Sequence, residues 1–377
     1  MIPGVLPTIS YLTDVHFEAG ATRRLPQVLE SLGARRPLVV TDPGVIAAGI
    51  LGALPDLHAG AVFDGVAPNP SEDDALAGLQ VFQNARCDSV VAVGGGSPMD
   101  CAKAIALLAT HPPPLEDYAF IRGGLSRITE RKPPLVAVPT TAGTGSEVGR
   151  GALITFRGGR KLAIVSPKII PQAAVCDPLL TLALPPLLTA ATGLDAISHG
   201  VETFLSPRFN PVAEAIALDG IARAVRWLPR AVEQGDDVTA RSEMMMAALE
   251  GGLTFQKGLG AVHSLSHALG GLPRHRLHHG TLNAILLPHV VRWNAPAAGD
   301  KTARLAAVLD LHGREDAAEG LARLASSLGL PPRLRDLGVS WEEVQGQVPR
   351  AAEDHCCATN PRPLDAAALR ELLRAAY

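Results

Sequence analysis

The sequence predicts an α/β N-terminal domain with a parallel, Rossmann-like sheet over residues 1–182 and an all-helical C-terminal domain over 183–377. Three observations carry this. Short β-branched runs alternate with helical stretches through the first ~180 residues, the pattern of a parallel sheet covered by helices. Strand signals then stop, and the remainder shows apolar residues at helical spacing. At 377 residues the chain also exceeds the roughly 250–300 at which a single core stops growing, so two domains are expected.

Taken in order, strands are expected at 37–41 (PLVVT), 60–64, 89–93 (SVVAV), 134–138 (PLVAV), 151–156 (GALITF), 161–165 and 173–176. The Pro-rich turn at 178–186 marks the boundary. Helices are expected beyond it at 187–206, 210–228, 238–252, 260–272, 281–292, 301–311, 315–329, 341–353 and 364–376.

Composition narrows the function classes. The chain is 47% hydrophobic and 19% charged with a net charge of −3, which provides no basic footprint for nucleic acid or an anionic membrane surface. The N-terminal stretch MIPGVLPTISYLTDVHFEAG lacks the basic and apolar regions of a secretion signal, and no run approaches ~20 uninterrupted apolar residues. A cytoplasmic protein without a membrane span is expected. Its five cysteines (Cys87, Cys101, Cys176, Cys356, Cys357) contain no CxxC pair and read as buried small hydrophobes or free thiols.

The segment VAVGGGSPMDCAK at 91–103 runs from a buried strand through three glycines into a helix start. Ser97 is expected as N-cap, Pro98 at the first helical position, and Asp100 as the partner of a capping box. Glycines there let a diphosphate approach helix N–H groups, where the dipole favours negative charge. TTAGTGSEV at 140–148 offers hydroxyls and permissive backbone for a second contact. Asp42 closes a strand where a ribose could be bound, and a carboxylate there favours NAD over NADP. Its alternative reading is a turn aspartate before Pro43 and Gly44. The usual G-x-G-x-x-G fingerprint is absent after the first strand.

In the helical half, TGLDAISHGVETF at 192–204 sets Asp195 and His199 four residues apart, on one helix face. GLGAVHSLSHALGGLPRHRLHHGTLNAILLPH at 258–289 repeats that spacing with His263 and His267, followed by His275, His278 and His279. Histidines on otherwise apolar helices are costly without a purpose. One carboxylate with three imidazoles suits Fe(II), Zn(II), Mn(II) or Ni(II), and such a cation beside a nicotinamide polarises a substrate oxygen.

With GGGSPMD, TTAGTGSEV, CDPLLT, TGLDAISHGVE and GAVHSLSHALGG in this order, the sequence resembles the iron-containing (group III) alcohol dehydrogenases across essentially its full length. The resemblance implies a dehydroquinate synthase-like architecture, an NAD-binding first domain, a metal-binding second domain and a cleft between them. It implies Asp195, His199 and His263 as metal ligands and His267 as the histidine that faces the nicotinamide; the alcohol proton is expected to leave through water or His267. The family's fourth ligand falls on His279, which precedes Gly280, with His278 and His275 as alternatives. Positions matching those around NAD are Asp42, Asn69, Gly95, Gly96, Ser97, Asp100, Thr140, Thr141, Thr144, Ser146 and Lys161. Fe2+ is the first expectation for the metal and Zn2+ the second. The apolar N-terminal segment and the family both point to a homodimer.

Within the family, YLTDVHF, SEVGRGALI, FLSPRFNP, FQKGLG, LHHGTLNA and DHCCATNP look most like bacterial 4-hydroxybutyrate dehydrogenases. The implied reaction interconverts a small primary alcohol, 4-hydroxybutyrate, and succinate semialdehyde. Its distal carboxylate calls for a cation, for which Arg150 and Lys257 are the candidates and Arg362 a third. His355, Cys356 and Cys357 are candidates for the same cleft. Other short alcohols, diols or aldehydes, a maleylacetate reductase-like activity, a dehydroquinate synthase-like lyase and a non-catalytic sensor are the alternatives.

Overall fold

Strands whose residues are all buried need cover on both faces, and the runs PLVV, SVVAVG, LVAVP and AAVC are of this kind. In the computed structural model, which describes residues 9–54, 59–272, 274–310 and 316–377, they form the middle of a parallel sheet. The strands of the chain are β1 (Asp14–Phe17), β2 (Pro37–Val40), β3 (Ala61–Phe63), β4 (Ser89–Gly94), β5 (Leu135–Pro139), β6 (Gly151–Thr155), β7 (Lys161–Val165) and β8 (Ala173–Cys176). Six of them pair in the order β1-β8-β5-β4-β2-β3.

Alternate residues face two separate cores. Leu38, Val40, Val90, Ala92, Leu135 and Ala137 belong to one, and Val39, Val91, Val93, Val136, Val138 and Val175 to the other. Each such leucine or valine contributes about 2 kcal/mol of burial. The intervening helices are α1 (Leu25–Ser31), α2 (Pro43–Ala47), α3 (Ile50–Ala53), α4 (Glu72–Asn84) and α5 (Gly96–Leu108).

Three expectations are corrected in this unit. The runs at 151–156 and 161–165 do not join the parallel sheet; β6 and β7 pair antiparallel with each other. The few residues between them, with Gly159 at φ 70, make a hairpin, whereas a parallel crossover needs a dozen or more. Strand β1 was not expected, because DVHF is short, mostly half-buried and lies at the sheet edge. The capping box at Ser97 and Asp100 is absent: α5 begins at Gly96 with Gly95 as N-cap and no side-chain cap. The glycines let the helix start two residues earlier than expected, and a true capping box sits instead at Ser71 and Asp74 on α4.

The chain divides into two compact units, the sheet unit over Tyr11–Thr141 and Gly145–Ala183, and a helical unit over Leu184–Tyr377 with Ala142–Thr144. The helical unit contains α6 (Pro186–Leu205), α7 (Pro211–Glu233), α8 (Val238–Leu253), α9 (Ala261–Gly270) and α10 (His279–Ala298), followed by shorter helices. Helix α7 runs on through Pro229, and the stretch expected as one helix at 341–353 is two, Trp341–Gln345 and Val348–Ala352, separated at Gly346. The expected helices 301–311 and 315–329 have their facing ends, residues 311 and 315, outside the described residues, as is 1–8 of the N-terminal segment.

Helix α6 is buried without interruption from Thr189 to Leu205. A helix apolar on every side belongs in a core. This one nevertheless carries Asp195, His199 and Glu202 inward. Its C-terminal carbonyls are held by Lys257, whose Nζ donates to Thr203, Phe204 and Ser206 and pairs with Glu214 at 3.2 Å.

Candidate functional site

In the sheet unit, β2, β4 and β5 are adjacent and parallel, so the residues that follow them emerge at the same sheet edge. Asp42 follows β2, Gly95 to Ser97 follow β4, and Thr140 and Thr141 follow β5. Chain order reverses between β2 and β4, the kind of switch point at which open α/β sheets bind ligands. Gly94 has φ 151, and a Cβ there would lie 2.5 Å from Pro98, so the turn requires glycine. It delivers the chain into α5, whose first-turn N–H groups have no partner within the helix. Lys161 Nζ donates to Asn69 Oδ1 at 2.7 Å, and the Asn69 N–H donates to Ser97 Oγ at 3.3 Å, which brings these three together.

Other expected nucleotide contacts have protein partners. The Ser146 hydroxyl accepts from Lys103 Nζ at 2.7 Å and donates to Asp100 Oδ1 at 2.9 Å. Asp100 Oδ2 accepts the Leu153 N–H at 3.0 Å, so its carboxylate ties the helix to the hairpin. Burial lowers the Lys103 ammonium to about 8 against the pull of Asp100 and Glu147. Asp42 Oδ1 caps α2 by accepting the Val45 N–H at 2.9 Å, which is the turn role named as its alternative. Thr144 belongs with Ala142 and Gly143 to the helical unit.

That helical unit brings the expected metal residues together. Asp195 Oδ1 lies 3.6 Å from His199 Nε2, 3.8 Å from His263 Nε2 and 3.6 Å from His279 Nε2. Asp195, His263 and His279 offer donor atoms all within 4.8 Å of one another. His199 stacks on His263, ring centroids 4.6 Å apart. The donor chemistry, one carboxylate and three imidazoles of which His279 alone is partly exposed, fits a divalent cation. Burial opposes the charge on Asp195, but His199 and the other imidazoles outweigh it and hold the carboxyl well below its usual range. Burial brings His199 down to about 4, while Asp195 and Glu202 overcome it at His263 and raise that ring to about 9.

Of the three histidines in the following loop, only His279 points at Asp195. His278 caps α10 through Thr281, and His275 pairs with Glu343 at 3.1 Å. Two expected substrate cations are also accounted for elsewhere. Lys257 is fully buried on the α6 carbonyls, and Arg362 stacks 3.7 Å over Trp293 while donating to its carbonyl. A buried lysine satisfied by carbonyls and a carboxylate cannot serve a ligand, which corrects that expectation for Lys257. Arg150 is half-buried beside Tyr11 in the sheet unit, and desolvation lowers its pKa.

Two residues of this centre were not expected from sequence. Asn283 Nδ2 donates to Asp195 Oδ1 at 2.7 Å and lies 3.1 Å from His279 Nε2, one helical turn along α10. Glu202 is on the Asp195 and His199 face of α6 at i+7, a signal present in the pattern. Its Oε2 meets His263 Nδ1 at 2.6 Å and its Oε1 accepts the Val262 N–H at 2.6 Å. The carboxylate thus holds the first turn of α9, where negative charge is favoured, and leaves the His263 Nε2 lone pair for a cation. In Glu202→Gln the amide oxygen stays on the Val262 N–H, so the NH2 faces Nδ1 and drives the proton to Nε2. Metal affinity should fall about 10- to 100-fold, read by chelator competition; unchanged affinity would sink this role.

His267 lies one turn beyond His263 on α9, ring centroids 5.8 Å apart. Its Nδ1 is 3.0 Å from Asp354 Oδ2.

Comparison with known proteins places these features. The family described as iron-containing alcohol dehydrogenase matches residues 13–178, and its C-terminal domain family matches 189–377. The chain is 49% identical to a 4-hydroxybutyrate dehydrogenase of Cupriavidus necator over 375 residues, covering 97% of this chain and 98% of that one. Among solved structures, it is similar to a 1,3-propanediol oxidoreductase (TM-score 0.91, 37% identity, 98% of this chain and 100% of that chain). It is also similar to a sulfoacetaldehyde reductase from Bifidobacterium kashiwanohense in complex with NAD+ (TM-score 0.87, 27% identity, 99% of each chain).

Proposed function

Since the chain belongs to the iron-containing alcohol dehydrogenase family, we propose that it interconverts 4-hydroxybutyrate and succinate semialdehyde with NAD and a divalent cation, Fe2+ before Zn2+. The observation that supports this most is the set of Asp195, His199 and His263, all buried, and half-buried His279 around one carboxylate oxygen. When bound, the cation supplies Lewis acidity toward a substrate oxygen and the nicotinamide accepts a hydride.

The remaining work falls to the chain. Oxidation of the primary alcohol sends a hydride to NAD+ and releases one proton, and His267 is the group proposed to take that proton. The α5 N-terminus, Thr140 and Thr141 are proposed to bind the diphosphate side of NAD, together with Asn69, Ser97 and Lys161. The second oxygen of Asp42 is the proposed ribose acceptor, and its charge disfavours a 2′-phosphate. With Lys257 and Arg362 engaged, Arg150 is the proposed partner of the distal carboxylate. A cytoplasmic homodimer is the proposed working form, on the sequence reading alone.

The test is NADH formation by the metal-reconstituted protein with 4-hydroxybutyrate and with 1-butanol. One charge-assisted contact predicts a kcat/KM ratio of about tenfold or more in favour of the hydroxy acid, lost in Arg150→Ala. Equal values for both alcohols would discard the carboxylate anchor and favour short alcohols or diols.

A further inference from the structure

Helix α9 carries two histidines one turn apart, and each has its Nδ1 against a carboxylate from another part of the helical unit. For His263 that carboxylate is Glu202. For His267 it is Asp354, which precedes the short 3-10 turn His355–Thr359. The two arrangements share one design. Each carboxylate gives one oxygen to a backbone N–H and the other to an imidazole: Asp354 Oδ1 accepts the Cys356 N–H at 2.8 Å and Oδ2 faces His267 Nδ1 at 3.0 Å.

We infer that Asp354 is a positioning residue for the reaction, fixing His267 as its Nδ1–H tautomer so that Nε2 carries the lone pair available to the departing proton. This rests on the proposed role of His267. An imidazole is a base only at the nitrogen without hydrogen, and a carboxylate at the other nitrogen decides which one that is.

The surroundings make the hold stiff. His267 is stacked against both His279 and His355, with centroids 5.5 and 6.3 Å away and planes 13° apart in both cases. The segment bearing Asp354 is fastened to α9 at two points. Ser264 Oγ donates to Ala351 O at 2.8 Å, and Asn360 Oδ1 accepts the Ala261 N–H at 3.1 Å. Asn360 is itself paired with Asn294 of α10. Asp354 is therefore placed by the fold against the Nδ1 edge of the His267 ring.

A rival use of these atoms is a second metal site, since donor atoms of His267, Asp354 and Cys356 lie within 4.8 Å of one another. Against it, both Asp354 oxygens are already engaged, Oδ1 by the Cys356 N–H and Oδ2 by His267 Nδ1.

Asp354→Asn tests the inference without changing shape. The amide oxygen must stay at Oδ1 to keep the Cys356 N–H, which puts NH2 against His267 Nδ1. That donor makes Nδ1 the acceptor and forces the ring proton onto Nε2. In the Zn2+-loaded enzyme with NAD and 15N-labelled histidine, the His267 ring signals, identified by their loss in His267→Gln, should change from the Nδ1–H to the Nε2–H pattern. The same variant should lose about 10²- to 10⁴-fold in kcat, with KM for the alcohol and bound metal within about twofold. Asp354→Glu, which can still accept from Nδ1, should recover part of that loss with the wild-type tautomer.

An unchanged tautomer in Asp354→Asn overturns the inference, as does a loss of kcat that comes with lost metal or a lowered melting temperature. If His267→Gln keeps full activity, the proton role of His267 fails, and the ring signals still report separately whether Asp354 sets the tautomer.

Discussion

His263→Ala is expected to leave the protein without stoichiometric metal and to lower turnover by at least about three orders of magnitude, a Lewis acid being worth several kcal/mol at a developing charge. Position 263 is the most demanding of the four because its ring serves both sides. Nε2 faces the Asp195 set, and Nδ1 takes the Glu202 carboxylate at 2.6 Å. Removing it costs the cation a ligand and leaves two buried carboxylates facing each other across a space. Breaking a buried pair from one side typically costs about 3–5 kcal/mol, so the variant should also melt earlier than wild type. His199→Ala should keep the fold better, because among the described residues no hydrogen-bond partner meets His199 Nδ1. Metal content by atomic emission and NADH formation under saturating Fe2+ or Zn2+ are the measurements. A His263→Ala protein with one tightly bound ion and normal turnover would remove this residue from the centre. Full activity in verified metal-free wild type would instead favour the maleylacetate reductase-like reading.

Gly280→Ala should be nearly as damaging, although it adds only a methyl group and touches no ligand directly. A Cβ at this position would lie 2.3 Å from the Ala191 carbonyl oxygen and 2.8 Å from its carbon. Both are backbone of α6, which is buried from Thr189 to Leu205 and cannot give way there. The start of α10 would have to move, taking His279 and Asn283 away from Asp195. Overpacking of this kind costs about 3 kcal/mol, and the displaced ligand should weaken metal binding on the order of 100-fold. Gly270→Ala is the control, since a Cβ there meets nothing within 4 Å. Thermal melts and chelator competition on both variants decide the matter. Equal behaviour of the two would show that the α6–α10 contact does not set the geometry of the site.

Helical periodicity made part of this centre legible. Asp195 and His199 share a face by their spacing, and Glu202 continues that face, as Asn283 does from His279. Asn283 escapes a search for ligand types because it carries an amide, whereas Glu202 is of a ligand type but meets the far nitrogen of His263, a pairing made only by the packing of α6 on α9. Asp354 could not be found that way: it lies 87 residues from His267 and meets it only through the packing of its turn on α9. Lys257 shows the opposite failure. A lysine next to the histidine segment suggests an anion site, but sequence does not reveal that three helix carbonyls and Glu214 await it.

In the sheet unit, buried runs announced the central strands because each must be apolar on both faces. The edge strand β1 and the β6–β7 pair were harder, since partner choice depends on connection length and edge position. At α5 the local capping chemistry of Ser97 and Asp100 was overridden. Glycine backbone freedom started the helix sooner; the Ser146 hydroxyl and the Leu153 N–H engaged Asp100, and the Asn69 N–H engaged Ser97.

The unbroken burial of α6 makes metal occupancy a matter of folding equilibrium as well as of chemistry. An unfolded chain cannot gather donors from α6, α9 and α10, so free metal draws the population toward the folded state. At a concentration about 1,000 times the dissociation constant this linkage is worth roughly 4 kcal/mol, a large share of the roughly 5–15 kcal/mol that keeps a domain folded. In metal-poor surroundings the apoprotein would then be the first population exposed to proteolysis, and cellular abundance, rather than specific activity, would follow metal supply.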